Sequence, residues 1–439
     1  EEPGVFQGFR ESEKLPNALT TILIGRTAVL STAGKVLLVE NPFDLRRGQV
    51  IAGGSINLNG NLVAESGAIL DVSGSSGVLD LLPPSKSLGG KTNGPKTVPV
   101  KIASNGGSIS LSSKQMLFTD ATLLGKAGGK SATGGILSVG SGKFTPDQVN
   151  FTNAEANLIV TQNGLTIPIG GSGSEVLKAV SDAAGMIIPG KGYFSVASFA
   201  SGGFDSLALT GNVQFDGPVS INVPGSLQVA SGGVIYADDK VSLSASHVSL
   251  GQAFLPPSLT ATRLFQFNNF GPANSGDFFL NPAHGSGSLT VKAKSIDIGT
   301  LSLQGIGIAN FDASKGDVRG NGTLHIAGDL SFKAGQIYPT TQGAFNLFAY
   351  DYQLDGVAKL GSITFTRGKS RPLPLSGGGK LSIYASNITQ DGTLRAPIGT
   401  INLGWDGTGT VPFDPIAGRL GVPVPITSQL TLEKGSVTS

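Results

Sequence analysis

The chain has 439 residues, 65 of them glycine and none cysteine, with 31 basic and 29 acidic side chains and a net charge of +2. A disulfide scaffold and thiolate metal sites are excluded, and a near-neutral chain has no field to draw in nucleic acid or an anionic membrane. Only 14% of residues are charged while 39% are apolar, so an ordered protein of many turns and short elements is expected.

The opening EEPGVFQG has no signal-peptide pattern, which suits a mature, processed or partial chain. The first clear repeat is GGSINLNGNLVAESGAILDVSG at 53–74. Ile56 and Leu58 alternate with Ser55, Asn57 and Asn59, and Leu62 and Ala64 follow the Gly60–Asn61 turn. Period-two alternation over a few residues, closed by Gly, Asn or Ser, is the mark of a strand. LLPPSKSLGGKTNGPKTVP (81–99) interrupts as a Pro/Gly loop, and the repeat resumes at 106–129 and 134–140.

Residues 142–204 break the pattern more deeply and read as an irregular insertion. Within them SEVLKAVSDAAGM (174–186) predicts one short helix. Ser174 is its cap, Glu175 favours its first turn, and Val176, Leu177, Val180 and Ala184 share a face. From 205 the repeat returns in GSLQVASGGVIYADDKVSLSASHVSLG (225–251), GSLTVKAKSIDIGTLSLQGIGIANFDASKG (287–316), GTLHIAGDLSFKAGQIYP (322–339) and GGKLSIYASNITQDGTLRAPIGTINLGW (378–405). Three further loops intervene at 254–285, 366–378 and 405–425. The chain thus divides into strand units at 1–141, the insertion at 142–204, and strand units with long loops at 205–439.

No apolar run approaches the roughly 18 residues that span a membrane. Helical crossovers for a doubly wound sheet are missing, and strands of 3–5 residues are too short for a broad sandwich. Units of three such strands match the coils of a parallel β-helix, a β-solenoid with loop excursions and one short helix. With coils about 4.8 Å apart, the body would be on the order of 70–90 Å long.

Chemistry-bearing residues are few. His247, His284 and His325 lie far apart, each without a second ligand at motif spacing, so no metal is expected. Gly90–Lys91–Thr92, Gly129–Lys130–Ser131 and Gly368–Lys369–Ser370 resemble phosphate-loop endings. The earlier glycine such a loop needs is replaced by Ser85, Leu124 and Ile363 respectively, so turns explain all three. Asp238–Asp239 is the only adjacent pair of aspartates, and in a strand its carboxylates would point to opposite faces. Asp406 and Asp414 carry no calcium repeat pattern and read as turn residues. Asn150, Asn321 and Asn387 stand in N-x-[ST] sequons, which are common by chance. No cofactor and no catalytic residue are expected. Phe265, Phe267, Phe270, Phe278 and Phe279 form an aromatic cluster that is either a satellite core under a loop or, with the single Trp405, a contact patch.

Three stretches carry a resemblance: GTLHIAGDLSFKAGQIYPTT, GGKLSIYASNITQDGTLRAPIGTINLGWDGTGT and SQLTLEKGSVTS. They are similar to the large filamentous haemagglutinin-like exoproteins of Gram-negative bacteria, most clearly over 200–439. The resemblance implies export by two-partner secretion, a right-handed β-helix and an adhesive role at the outer cell surface. It brings no catalytic motif. The expectation is a non-enzymatic segment of a surface fibre whose partners are copies of itself, further coils of a longer precursor, or a host-surface or glycan receptor. A polysaccharide-binding or polysaccharide-cleaving β-helix is the alternative.

Overall fold

A computed structural model describes residues 21–82, 97–113, 116–141, 143–144, 154–155, 157–167, 191–254, 282–412 and 422–439. Apart from one helix, Val196–Gly202, every regular element among them is a strand. Most strands belong to one sheet of 12 and one of 14. The pairing inside both is parallel. Antiparallel pairs occur as hairpins, such as Val36–Val39 with Arg47–Val50 and Ser76–Leu81 with Val98–Ala103.

The chain visits the two sheets alternately. Asp329–Pro339 lies in the 14-stranded sheet, Ala344–Tyr350 in the other, Ser362–Arg367 in the first again and Lys380–Ala385 in the second. Each strand therefore pairs with one a full pass earlier or later in sequence. Because pairing is parallel and in register, like positions stack into columns. One column runs Val219, Val241, Leu289, Ala309, Leu330, Ile363, Ile388. Its neighbour runs Ile221, Leu243, Val291, Phe311, Phe332, Phe365. All of these side chains are buried. A fully buried side chain of this kind contributes roughly 1.5–3 kcal/mol, so the columns are the main source of stability. The 12-stranded sheet supplies the facing column Leu301, Leu324, Leu347, Ile383.

The strands are longer than the repeat pattern suggests. Val219–Val229, Lys240–Leu250, Gly287–Ile298, Ile306–Gly320 and Asp329–Pro339 run for 11 to 15 residues. Register shifts after Val223, Lys292 and Ala313 divide them into two limbs. A bulge bends a strand while keeping its backbone paired on both sides. Gly316 sits at one such bend, where a Cβ would fall 1.7 Å from the Lys294 carbonyl oxygen. Gly305 turns the chain between Leu301–Gln304 and Ile306–Gly320 at φ 70°, a conformation that favours glycine.

Two features depart from expectation inside 142–204. Asn157–Thr161 and Lys191–Ser195 are regular strands of the 12-stranded sheet, paired in register with each other. The helix Val196–Gly202 follows directly and ends on Gly203 at φ 73°. The helix expected at 174–186 lies outside the described residues, as does most of the loop expected at 81–99.

Candidate contact surfaces

Two hairpins project near the first strands. The Arg46 guanidinium meets Asp80 at 2.8 Å, and the backbone N–H of Asp80 donates to the Arg46 carbonyl at 2.9 Å, which fastens one hairpin to the other. The hydrogen bonds from Arg46 hold the Asp80 carboxyl below its ordinary range. Leu37, Leu38, Val39, Phe43 and Leu82 are exposed on these hairpins, with Phe43 at 75%. Consecutive apolar residues on an exposed ribbon depart from the polar alternation of a solvated strand.

At the opposite end the apolar columns run out to an edge strand, Gln429–Leu432, that pairs on one side only among the described residues. The column through Ile363 and Ile388 ends on Leu430, which is 43% exposed where Ile388 is 1%. The column through Phe365 passes to Gln390, a fully buried amide, and then to Leu432 at 58%. The Gln390 amide is satisfied: its Nε2 donates to the Val437 carbonyl at 3.0 Å, and the Gly392 N–H donates to its Oε1 at 2.9 Å. Close to this end Leu375 and Ile398 are fully solvent-facing, on turns joined by the Gly378 N–H donating to the Pro397 carbonyl. Ile398 holds φ at 55°, a strained conformation for a β-branched residue.

A polar cluster lies on the second limbs of the long strands. Register places Ser249, Asp297, Arg319 and Tyr338 in one column and His247, Ser295, Asp317 and Gln336 in the next. Asp297 accepts from Arg319 Nη2 at 2.6 Å and Nε at 3.0 Å, and its Oδ2 lies 3.2 Å from His247 Nε2. Burial opposes its ionisation, but the bonds from His247 and Arg319 outweigh that, and the carboxyl sits below its ordinary value. Burial and the neighbouring Asp317 charge push the Tyr338 phenol up. A carboxyl depressed in the folded state stabilises the fold above its ordinary value, near pH 4, and that contribution is lost as pH falls through the folded value. Asp297→Asn is therefore expected to lower unfolding free energy by about 1–2 kcal/mol at neutral pH, with the difference vanishing in acid. Chemical denaturation followed from neutral pH to about pH 2 checks this, and a pH-independent difference would contradict it.

Of the expected contact patch, Phe265, Phe267, Phe270, Phe278 and Phe279 lie outside the described residues. Trp405 is half-buried and packs against a small cluster of Phe348, Tyr350, Tyr384 and Val424. Its Nε1–H donates to the Thr408 carbonyl at 2.8 Å, and Asp406 accepts from the Thr408 N–H and hydroxyl, so Trp405 lies over its own turn. Asp238 and Asp239 are exposed in the turn before Lys240–Leu250. The three histidines stay apart in role. His247 meets Asp297, His284 stacks on Tyr352 at 3.8 Å, and His325 is buried beside Phe348. Among the described residues no three His, Asp or Glu side chains converge as a metal site requires. Nor is any helix among them long and apolar enough to cross a membrane.

The cluster around Asp297 has no sequence motif, since 50 residues separate Asp297 from His247 and 22 from Arg319. The available signal was the strand alignment SHVSL, SIDI, DVRG, QIYP, whose apolar positions superpose and carry the polar ones with them. No family model, curated protein or solved structure matches the chain.

Proposed function

We propose that the chain is a right-handed β-solenoid segment of a secreted or cell-surface fibre, structural and adhesive in role and without catalytic activity. The fibre would be of the filamentous haemagglutinin-like kind, exported to the outer surface of a Gram-negative bacterium. The observation that carries the reading is the set of in-register apolar columns linking successive passes of the chain and continuing to Leu430 and Leu432, which are exposed on the last described strand of their sheet. A stack held by backbone pairing and such columns is stiff along its length, and each new strand extends both. In the fibre, further windings or another copy cover that edge, and the exposed hairpins and turns serve as lateral contacts. Negative-stain imaging of purified protein tests this. Rods that join lengthwise are expected, whereas compact particles, or rods that never associate at any concentration, would overturn it.

A further inference from the structure

Where the long strands bend, two bulges flank a notch. In the first, Pro224 and Gly225 of Val219–Val229 stand opposite the single Ser246. In the second, between the pairs Lys292–Asp312 and Ser295–Asp317, Ala293 and Lys294 face the longer run Ala313, Ser314, Lys315 and Gly316. The two strands between these bulges keep register with no shift, Ala245 against Ala293 and His247 against Ser295. They form the floor and the bulges form the walls. The resulting space is about 450 Å³, within the roughly 300–1,000 Å³ typical of ligand sites.

The lining is cationic in a chain that is nearly neutral overall. Lys292, Lys294 and Lys315 all border the notch and are exposed. None of the three has an ion-pair partner among the described residues. The one carboxylate among the described lining residues, Asp312, accepts the Ser314 N–H at 2.9 Å and so holds its own turn. Lys333 follows Asp312 in the same column, and the Lys369 N–H donates to the Ser314 carbonyl beside the second bulge. Charges of one sign gathered in a cleft focus the field and concentrate an oppositely charged ligand.

We propose that this notch binds a segment of an acidic polysaccharide. The lining contains lysines, which act as point charges without the fixed fork of arginine, so they suit dispersed carboxylate or sulfate groups better than one bidentate anion. Among the described residues no aromatic side chain lines it, so they offer no stacking platform of the kind that single-stranded nucleic acid uses. The floor is small and apolar at Ala245 and Ala293, leaving room for the body of a sugar ring between the ammonium groups.

The inference deepens the surface-protein reading by naming a ligand class, and binding can fail while the rods still assemble. The test is titration of the full chain with hexagalacturonate, sulfated maltohexaose, unsulfated maltohexaose and an oligothymidylate. One or both acidic sugars should bind, more weakly at higher salt, and the neutral sugar should not. Which acidic sugar binds assigns the charge to carboxylate or sulfate. The triple variant K292Q/K294Q/K315Q should bind about tenfold more weakly, while K101Q/K359Q, on exposed lysines outside the lining, should match wild type. Circular dichroism confirms that both variants keep their strands. Unchanged affinity in the triple variant, binding of neither acidic sugar, equal binding of the neutral one, or preference for the oligothymidylate would overturn the proposal.

Discussion

Replacing Phe332 by Ala is expected to cost about 3–5 kcal/mol of unfolding free energy. Phe332 is fully buried, with the Phe311 ring at 4.9 Å and 13° on one side and the Phe365 ring at 5.5 Å and 16° on the other. Three rings in successive strands form a continuous stack, so removing the middle one leaves a void that its neighbours cannot fill without leaving their own register. The loss is also local along the 14-stranded sheet, because each strand there pairs its backbone only with adjacent strands. The transition should therefore broaden or split as well as shift, the part before Phe311 separating from the part after Phe365. Lys333→Ala, one residue away on the exposed face, is the control and should change stability by less than about 0.5 kcal/mol. Denaturant unfolding followed by circular dichroism decides, and equal effects from the two variants would refute the column as the source of stability.

Phe332 also shows why much of the fold could be read in advance. In GTLHIAGDLSFKAG the alternation at Leu330, Phe332 and Ala334 marks the buried face, and parallel in-register pairing carries that face from strand to strand. The same rule failed in two places. Asn157–Thr161 was hidden because Leu158, Ile159 and Val160 are all buried, and a strand covered on both faces has no period to detect. The length of Ile306–Gly320 was hidden because Ser314, Lys315 and Gly316 look like a turn, whereas they form a bulge inside one continuous pairing. Contact surfaces were harder still. The Asp297 cluster and the lysine notch exist only through register, and register across 20 to 50 residues is set by how many residues each bend consumes. Where a long stretch intervenes, as between Leu250 and Gly287, the sequence does not announce which positions will face each other.

The edge formed by Gln429–Leu432 allows assembly to be separated from folding. The Gln429 and Glu433 N–H groups donate inward, to the carbonyls of Ser386 at 3.1 Å and Gln390 at 2.9 Å. Alternation along a parallel strand then turns the N–H groups of Leu430 and Leu432 to the side where no described strand pairs. Leu432→Pro removes one outward donor and leaves the inward ladder intact, as proline at an edge does. Leu430→Lys places an ammonium at the end of an apolar column, where a covering strand would have to bury it. The double variant should fold with strand content like wild type, because neither inward bond is touched and Gln390 still fastens the strand Val437–Thr438. Lengthwise association should fall by at least about tenfold, since one lost hydrogen bond and one buried charge exceed 1.4 kcal/mol together. Light scattering and imaging at matched concentrations read the difference. Rods of equal length in both proteins would mean that this edge takes no part in assembly, and would move the contact to the exposed hairpins around Leu37, Leu38 and Phe43.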